Sequence, residues 1–141
     1  MLKHIPDMIT PELFSVIDDM GRGDELVIAD ANFQRSDMRR VVRMGGVTVA
    51  ELLSALLVLF PLDGRDDMPV TVCFTSDEEY VPPVWGDLEK AIRESEEGPK
   101  LKGMDKLEKY SFEKRCANAR CVIITGDRDS SSTIIIKKGD A

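Results

Sequence analysis

At 141 residues with a formal charge of −7, the chain fits one domain and disfavours binding to nucleic acid or to anionic membrane, which both need basic patches. Its 43% hydrophobic content is ordinary for a globular protein and gives no ground for disorder. The apolar run from Leu52 is interrupted by Ser54 and stops at Pro61, far short of the roughly 20 residues of a membrane span, and Met1 to Thr10 holds no secretory apolar stretch, so a cytoplasmic protein is expected.

Thr10-Pro11-Glu12 has the features of a helix start: a capping hydroxyl, a proline at the first turn and an acid near the positive dipole end. Leu13, Val16, Ile17 and Met20 follow at helical spacing, and Gly21 offers a stop. Leu26 to Ala29 is a continuous apolar run, suited to a strand buried on both faces, and it ends at Asp30. Thr48 to Glu51 has the pattern of a capping box and opens a helix carrying Leu52, Leu53, Leu56, Leu57 and Phe60. Val70 to Phe74 predicts the next strand, and a helix is expected from Pro83 with Trp85, Leu88, Ala91 and Ile92 on its apolar side. Glu96 to Gly103 is polar and reads as a loop. A short strand over Leu107 to Tyr110 and a short helix over Phe112 to Asn118 follow. The chain closes with two apolar runs, Cys121 to Thr125 and Thr133 to Ile136, separated by a polar turn. Strands with almost no polar alternation, separated by helices, predict a three-layer αβα sandwich with a largely parallel sheet, in a single domain.

In open α/β sheets ligands collect beyond the carboxyl ends of the strands. Three segments qualify: Asp30 to Phe33, Lys109 to Arg115, and Gly126 to Thr133. Composition alone favours a solvated turn for Asp127 to Ser132, and periodicity alone favours a turn-forming or capping carboxylate for Asp30 after its strand. Gly21 to Glu25 lacks the glycine spacing and the Lys-Ser/Thr pair of a phosphate loop, and it precedes a strand. His4 is the only histidine, near a chain end, where a surface role is expected. No metal site is expected, because no cluster of histidines, cysteines or close acids is present. Cys73, Cys116 and Cys121 have no metal-ligand spacing, and they are expected to be reduced, with Cys73 and Cys121 packed as small hydrophobes inside strands.

Several segments carry a resemblance. Met1-Leu2-Lys3, Ile9 to Leu13, Met20 to Glu25, and Ala29-Asp30-Ala31-Asn32-Phe33 resemble the fucose mutarotase branch of the L-fucose mutarotase and D-ribose pyranase family. The similarity continues through Phe60 to Asp63, Pro83-Val84-Trp85, Phe112, Arg115 and Ala119. It closes on Ile124 to Arg128 and Ile136 to Gly139, so the ordered set spans nearly the whole chain.

The resemblance implies a catalyst that interconverts the anomers or ring forms of a monosaccharide without a cofactor. It also implies a ring-shaped homo-oligomer with sites near subunit boundaries, each completed by a neighbour. A base takes the anomeric hydroxyl proton, an acid protonates the ring oxygen, the ring opens, and the reverse steps close it. Asp30 matches the family's sugar-binding aspartate. Arg22 stands where the family usually has its acid/base histidine, and arginine stays protonated. Lys109 replaces the branch's usual arginine, which keeps the charge and loses the bidentate fork. Ser131 and Thr133 occupy places usually held by a tyrosine and an asparagine. Asp30 and Arg22 are thus the candidate catalytic residues, and Asp30, Lys109, Ser131 and Thr133 the candidate sugar contacts, with Asp30 and Lys109 expected in one pocket. Two alternatives stand beside an active mutarotase. One is a catalytically weak binder of a sugar or anionic sugar derivative, held by Arg22 and Lys109. The other is an oligomeric structural or partner-binding role without a ligand.

Overall fold

In the computed structural model, which describes residues 5–34, 36–66, 68–75 and 77–140, Thr10 caps the first helix, α1 (Pro11–Asp19), by accepting the Leu13 amide at 3.2 Å. His4 and the opening Met1-Leu2-Lys3 lie outside the described residues. The chain then turns through Gly23, whose φ of 89° lies in the left-handed region that glycine adopts without strain, and enters β1 (Glu25–Ala29). The edge strand β2 (Val41–Met44) follows, then α2 (Val49–Leu56). Thr48 and Glu51 form the reciprocal capping box that the sequence predicts, at 3.2 and 2.9 Å. After β3 (Val70–Cys73) and α3 (Pro83–Arg93), a 3₁₀ turn at Gly98–Lys100 leads to β4 (Asp105–Leu107) and α4 (Lys109–Asn118). The chain ends with β5 (Cys121–Thr125) and β6 (Ile134–Lys137).

These strands form one six-stranded sheet in the order β2-β5-β1-β6-β3-β4. β5 runs parallel to β1 and β2, β3 runs parallel to β4, and β6 alone is antiparallel to both of its neighbours. Alternate residues divide the core in two. Leu26, Ile28, Cys121, Ile123, Ile134 and Ile136 face the buried stripes of α1, α2 and α3. Val27, Ala29, Val122, Ile124 and Ile135 face Phe112 and Cys116 of α4. Helices therefore cover both faces, three against one, and the fold is the expected three-layer α/β domain. Each fully buried Leu, Ile or Val contributes roughly 1.5–3 kcal/mol relative to exposure, so the central strands β1, β5 and β6 anchor the domain. Among the described residues no helix is long and apolar enough to cross a membrane.

Four local expectations need correction. Val41–Met44 is a strand that periodicity does not reveal, because only Val42 is buried on this sheet edge. α2 ends at Leu56, and Phe60 is reached through a turn in which its amide bonds the Leu56 carbonyl at 2.7 Å. β4 and α4 begin earlier than expected, because Glu108 caps α4 by accepting the amides of Tyr110 and Ser111 at 2.8 and 2.7 Å. β6 reverses direction because the link Gly126–Thr133 is shorter than the dozen or more residues a parallel crossover takes.

This topology gives the sheet two unlike edges. The carboxyl ends of β1 to β5 lie together with the entry to β6. The amino edge carries the Gly23 turn. There Arg115 pairs with Glu25 and donates to Thr71 at 3.1 Å, and Lys137 holds Asp66 at 2.6 Å. Two segments of the resemblance also meet: the Gly139 amide donates to the Pro61 carbonyl at 2.8 Å, and a Cβ on Gly139 would lie 2.4 Å from the Leu62 carbonyl oxygen.

Candidate functional site

The apolar run of β1 delivers Asp30 to the carboxyl edge, and the start of β6 brings Thr133 beside it. Both are 5% exposed. The Thr133 hydroxyl accepts the Asp30 amide at 3.0 Å and donates its proton to Asp30 Oδ1 at 2.6 Å. The Asn32 amide donates to Oδ2 at 3.0 Å. Two of the roughly four acceptor positions of this carboxylate are thus taken by protein donors, which leaves capacity for hydroxyl donors from a ligand. Because the Thr133 hydroxyl already gives its only proton to Asp30, its first task is to position that carboxylate.

The loop Gly126–Thr133 is built rather than loosely solvated. Arg128, Asp129 and Ser130 are exposed, but Ser132 and Thr133 are buried. Asp127 ties three elements together: Oδ2 accepts the Val49 amide at the start of α2 at 3.1 Å, Oδ1 accepts the Asp129 amide at 2.9 Å, and its carbonyl accepts the Ala31 amide at 2.7 Å. The Trp85 indole of α3 donates to the Ser131 carbonyl at 3.0 Å. Gly126 is packed so closely that an added Cβ would lie 2.0 Å from the Gly45 carbonyl oxygen. Sequence reasoning missed Asp127 and Trp85 as supports of the site. Their only signal was membership of the segments that carry the resemblance, since their partners lie 78 and 46 residues away.

The remaining candidates are dispersed. Lys109 is exposed in the first turn of α4, on the carboxyl edge, and it follows β4, with β6 and β3 between β4 and β1. Ser131 is half-buried and engages through its backbone: its amide donates to Asp129 Oδ1 at 3.0 Å. Arg22 lies before β1, on the opposite edge from Asp30, with its side chain 41% exposed and 3.8 Å from Asp140. One chain therefore brings Asp30 and Thr133 together and holds the other catalytic candidate, Arg22, apart from them.

The segment that follows Asp30 and the edge strand β2 border an open cavity of about 420 Å³, lined by Phe33, Gln34, Ser36, Met38 and Arg43 together with Ala31 and Ile124. That volume lies within the roughly 300–1,000 Å³ of small-molecule sites. None of the three cysteines is in a disulfide; Cys116 and Cys121 are buried and Cys73 half-buried. Burial pushes the Cys121 thiol up to about 11 and raises that of Cys73 as well.

An open α/β sheet with a held carboxylate and a cavity at the carboxyl ends of its strands is the architecture of a small-molecule site. The chain belongs to the RbsD / FucU transport protein family, which it matches over residues 3–141. It is 35% identical over 146 residues to the fucose mutarotase of Danio rerio, an overlap that covers 99% of this chain and 94% of that protein. Among solved structures, FucU from Bifidobacterium longum superposes with a TM-score of 0.90 at 37% identity, covering 99% of both chains. The fucose mutarotase of Streptococcus pneumoniae in complex with L-fucose also gives 0.90, at 33% identity and 99% coverage of both.

Proposed function

We propose that this chain is a cofactor-free monosaccharide mutarotase, acting on fucose or a related sugar in the cytoplasm. The observation that carries the reading is the Asp30 carboxylate, buried and held by Thr133 and Asn32 at the strand end, in a chain similar to fucose mutarotases over nearly its whole length. In this reading Asp30 accepts the anomeric hydroxyl proton, and Lys109 or a pocket water protonates the ring oxygen. The C–O bond to the ring oxygen opens, the aldehyde rotates, and the same groups return the protons as the ring closes on the other face. Lys109, Ser131 and Thr133 border the sugar.

Arg22 and Asp30 stand at opposite edges of one sheet, so Arg22 enters this reading only from a neighbouring copy. A closed ring of head-to-tail contacts would set the amino edge of one subunit against the carboxyl edge of the next. The binding of an anionic sugar between Arg22 and Lys109 has the same requirement, since those residues also lie on opposite edges.

Exchange NMR between the anomer signals of L-fucose and a small panel of monosaccharides tests the proposal. Acceleration over the protein-free rate is expected for at least one sugar, and its absence across the panel rejects a mutarotase. Light scattering at micromolar concentration tests the ring, which a clean monomer would exclude.

A further inference from the structure

Arg43 is level with Ile124 in the β2–β5 register, and Ile124 is level with Ala29 in the β5–β1 register. Residues paired in this way project to the same face of a sheet. Ile124 and Ala29 belong to the smaller core on the α4 face, so Arg43 projects on that face, two strand spacings or about 10 Å from the residue that precedes Asp30. There it lines the cavity of about 420 Å³ with Phe33, Gln34 and Ser36. Arg22 and Arg65 lie against Asp140, Arg40 against Glu12, Arg93 against Glu89, Arg115 against Glu25 and Arg120 against Asp19. The Arg43 side chain, like those of Arg39 and Arg128, has no ion-pair or hydrogen-bond partner among the described residues, and of these three only Arg43 lines that cavity.

We infer that Arg43 contacts the ligand of this site and fixes the end of the sugar remote from Asp30. The inference rests on the monosaccharide reading above. Phe33, Met38 and Ile124 give the cavity an apolar wall, while Gln34, Ser36 and the Arg43 guanidinium supply polar groups. That combination suits a ring with an apolar face and oxygens at its edge. A guanidinium fork binds two oxygens at once. On a sugar these are two neighbouring hydroxyls or the two oxygens of a carboxylate.

The test compares wild type, Arg43→Met, which keeps the stem without the charge, and Arg43→Lys, which keeps the charge without the fork. Affinity for L-fucose and for D-galacturonate is measured by calorimetry, anomer exchange by NMR, and folding and assembly by circular dichroism and light scattering. Arg43→Met is expected to weaken at least one sugar about 10-fold or more, the loss of a charge-assisted bond, with KM rising more than kcat falls. Loss of galacturonate with rescue by lysine assigns the paired oxygens to a carboxylate; loss of fucose without rescue assigns them to hydroxyls. An Arg43→Met protein that binds both sugars within twofold of an active wild type overturns the inference and leaves the mutarotase reading intact. A change of assembly state with affinity unchanged also overturns it, by making Arg43 an interface residue. A wild type that neither binds nor interconverts any sugar removes the mutarotase reading and this inference with it.

Discussion

Replacing Thr133 with valine keeps the shape of the side chain and removes the hydroxyl that both accepts from the Asp30 amide and donates to its carboxylate. The 2.6 Å bond to an ionised acceptor is of the class that contributes about 1.5–3 kcal/mol, and a buried amide left without a partner costs about 1–3 kcal/mol more. Relaxation of the loop would recover part of that, so the expected loss is about 3 kcal/mol, or roughly 10 °C in Tm for a domain of this size. Urea and thermal unfolding at matched protein concentration measure it. Thr133→Ser retains the hydroxyl and loses one methyl, and is expected to cost about 1 kcal/mol. A cycle with Asp30→Asn should give a coupling above about 1 kcal/mol, because the two side chains are in direct contact. A valine variant within about 0.5 kcal/mol of wild type, or a cycle without coupling, would refute the view that Thr133 holds Asp30 in place.

Arg22 is exposed and lies 3.8 Å from Asp140, so Arg22→His should fold normally; on the mutarotase reading it raises anomer exchange on fucose about 10-fold to 100-fold by supplying a titrating group, and an unchanged rate in exchange NMR would exclude that role. The bond from Lys137, aided by the Met68 amide, holds the Asp66 carboxyl below its usual range. The stabilisation is therefore present at neutral pH and disappears as pH falls through the depressed folded value: the Tm gap between wild type and Asp66→Asn should be open at about pH 6 and narrow progressively as pH falls below about 4, while a gap that widens in acid would reverse the assignment. Native protein treated with Ellman's reagent near neutral pH should react slowly and at Cys73 alone, with Cys116 and Cys121 appearing only in denaturant; rapid labelling of Cys121 in the folded state would contradict its burial.

Most of the helices and central strands could be read locally because their causes are local. Thr10 with Pro11, Thr48 with Glu51, and Pro83 announce α1, α2 and α3 through caps and first-turn residues within a few positions of one another. β1 and β5 stand out because both faces are covered, which demands unbroken apolar runs. β2 escapes because one inward residue, Val42, makes no pattern. Glu108 escapes as a cap because glutamate is not among the residues that commonly fill that place. The direction of β6 is recoverable in principle from the length of the link before it, a constraint of chain reach rather than of side-chain pattern.

The site is legible in a different way. Asp30 stands out as the first polar residue after a buried strand, and Thr133 as the last residue before another. Their contact depends on β6 pairing antiparallel to β1, which no local pattern encodes. The same topology explains why Arg22 could not be placed from sequence. The five residues of β1 alone rise about 16 Å, so a group before the strand cannot reach a carboxylate after it within one chain. A fold that presents Asp30 on one sheet edge and Arg22 on the other can combine them only between copies. The resemblance links two positions that the single chain holds apart, and the proposed ring of subunits would reconcile the motif with the geometry.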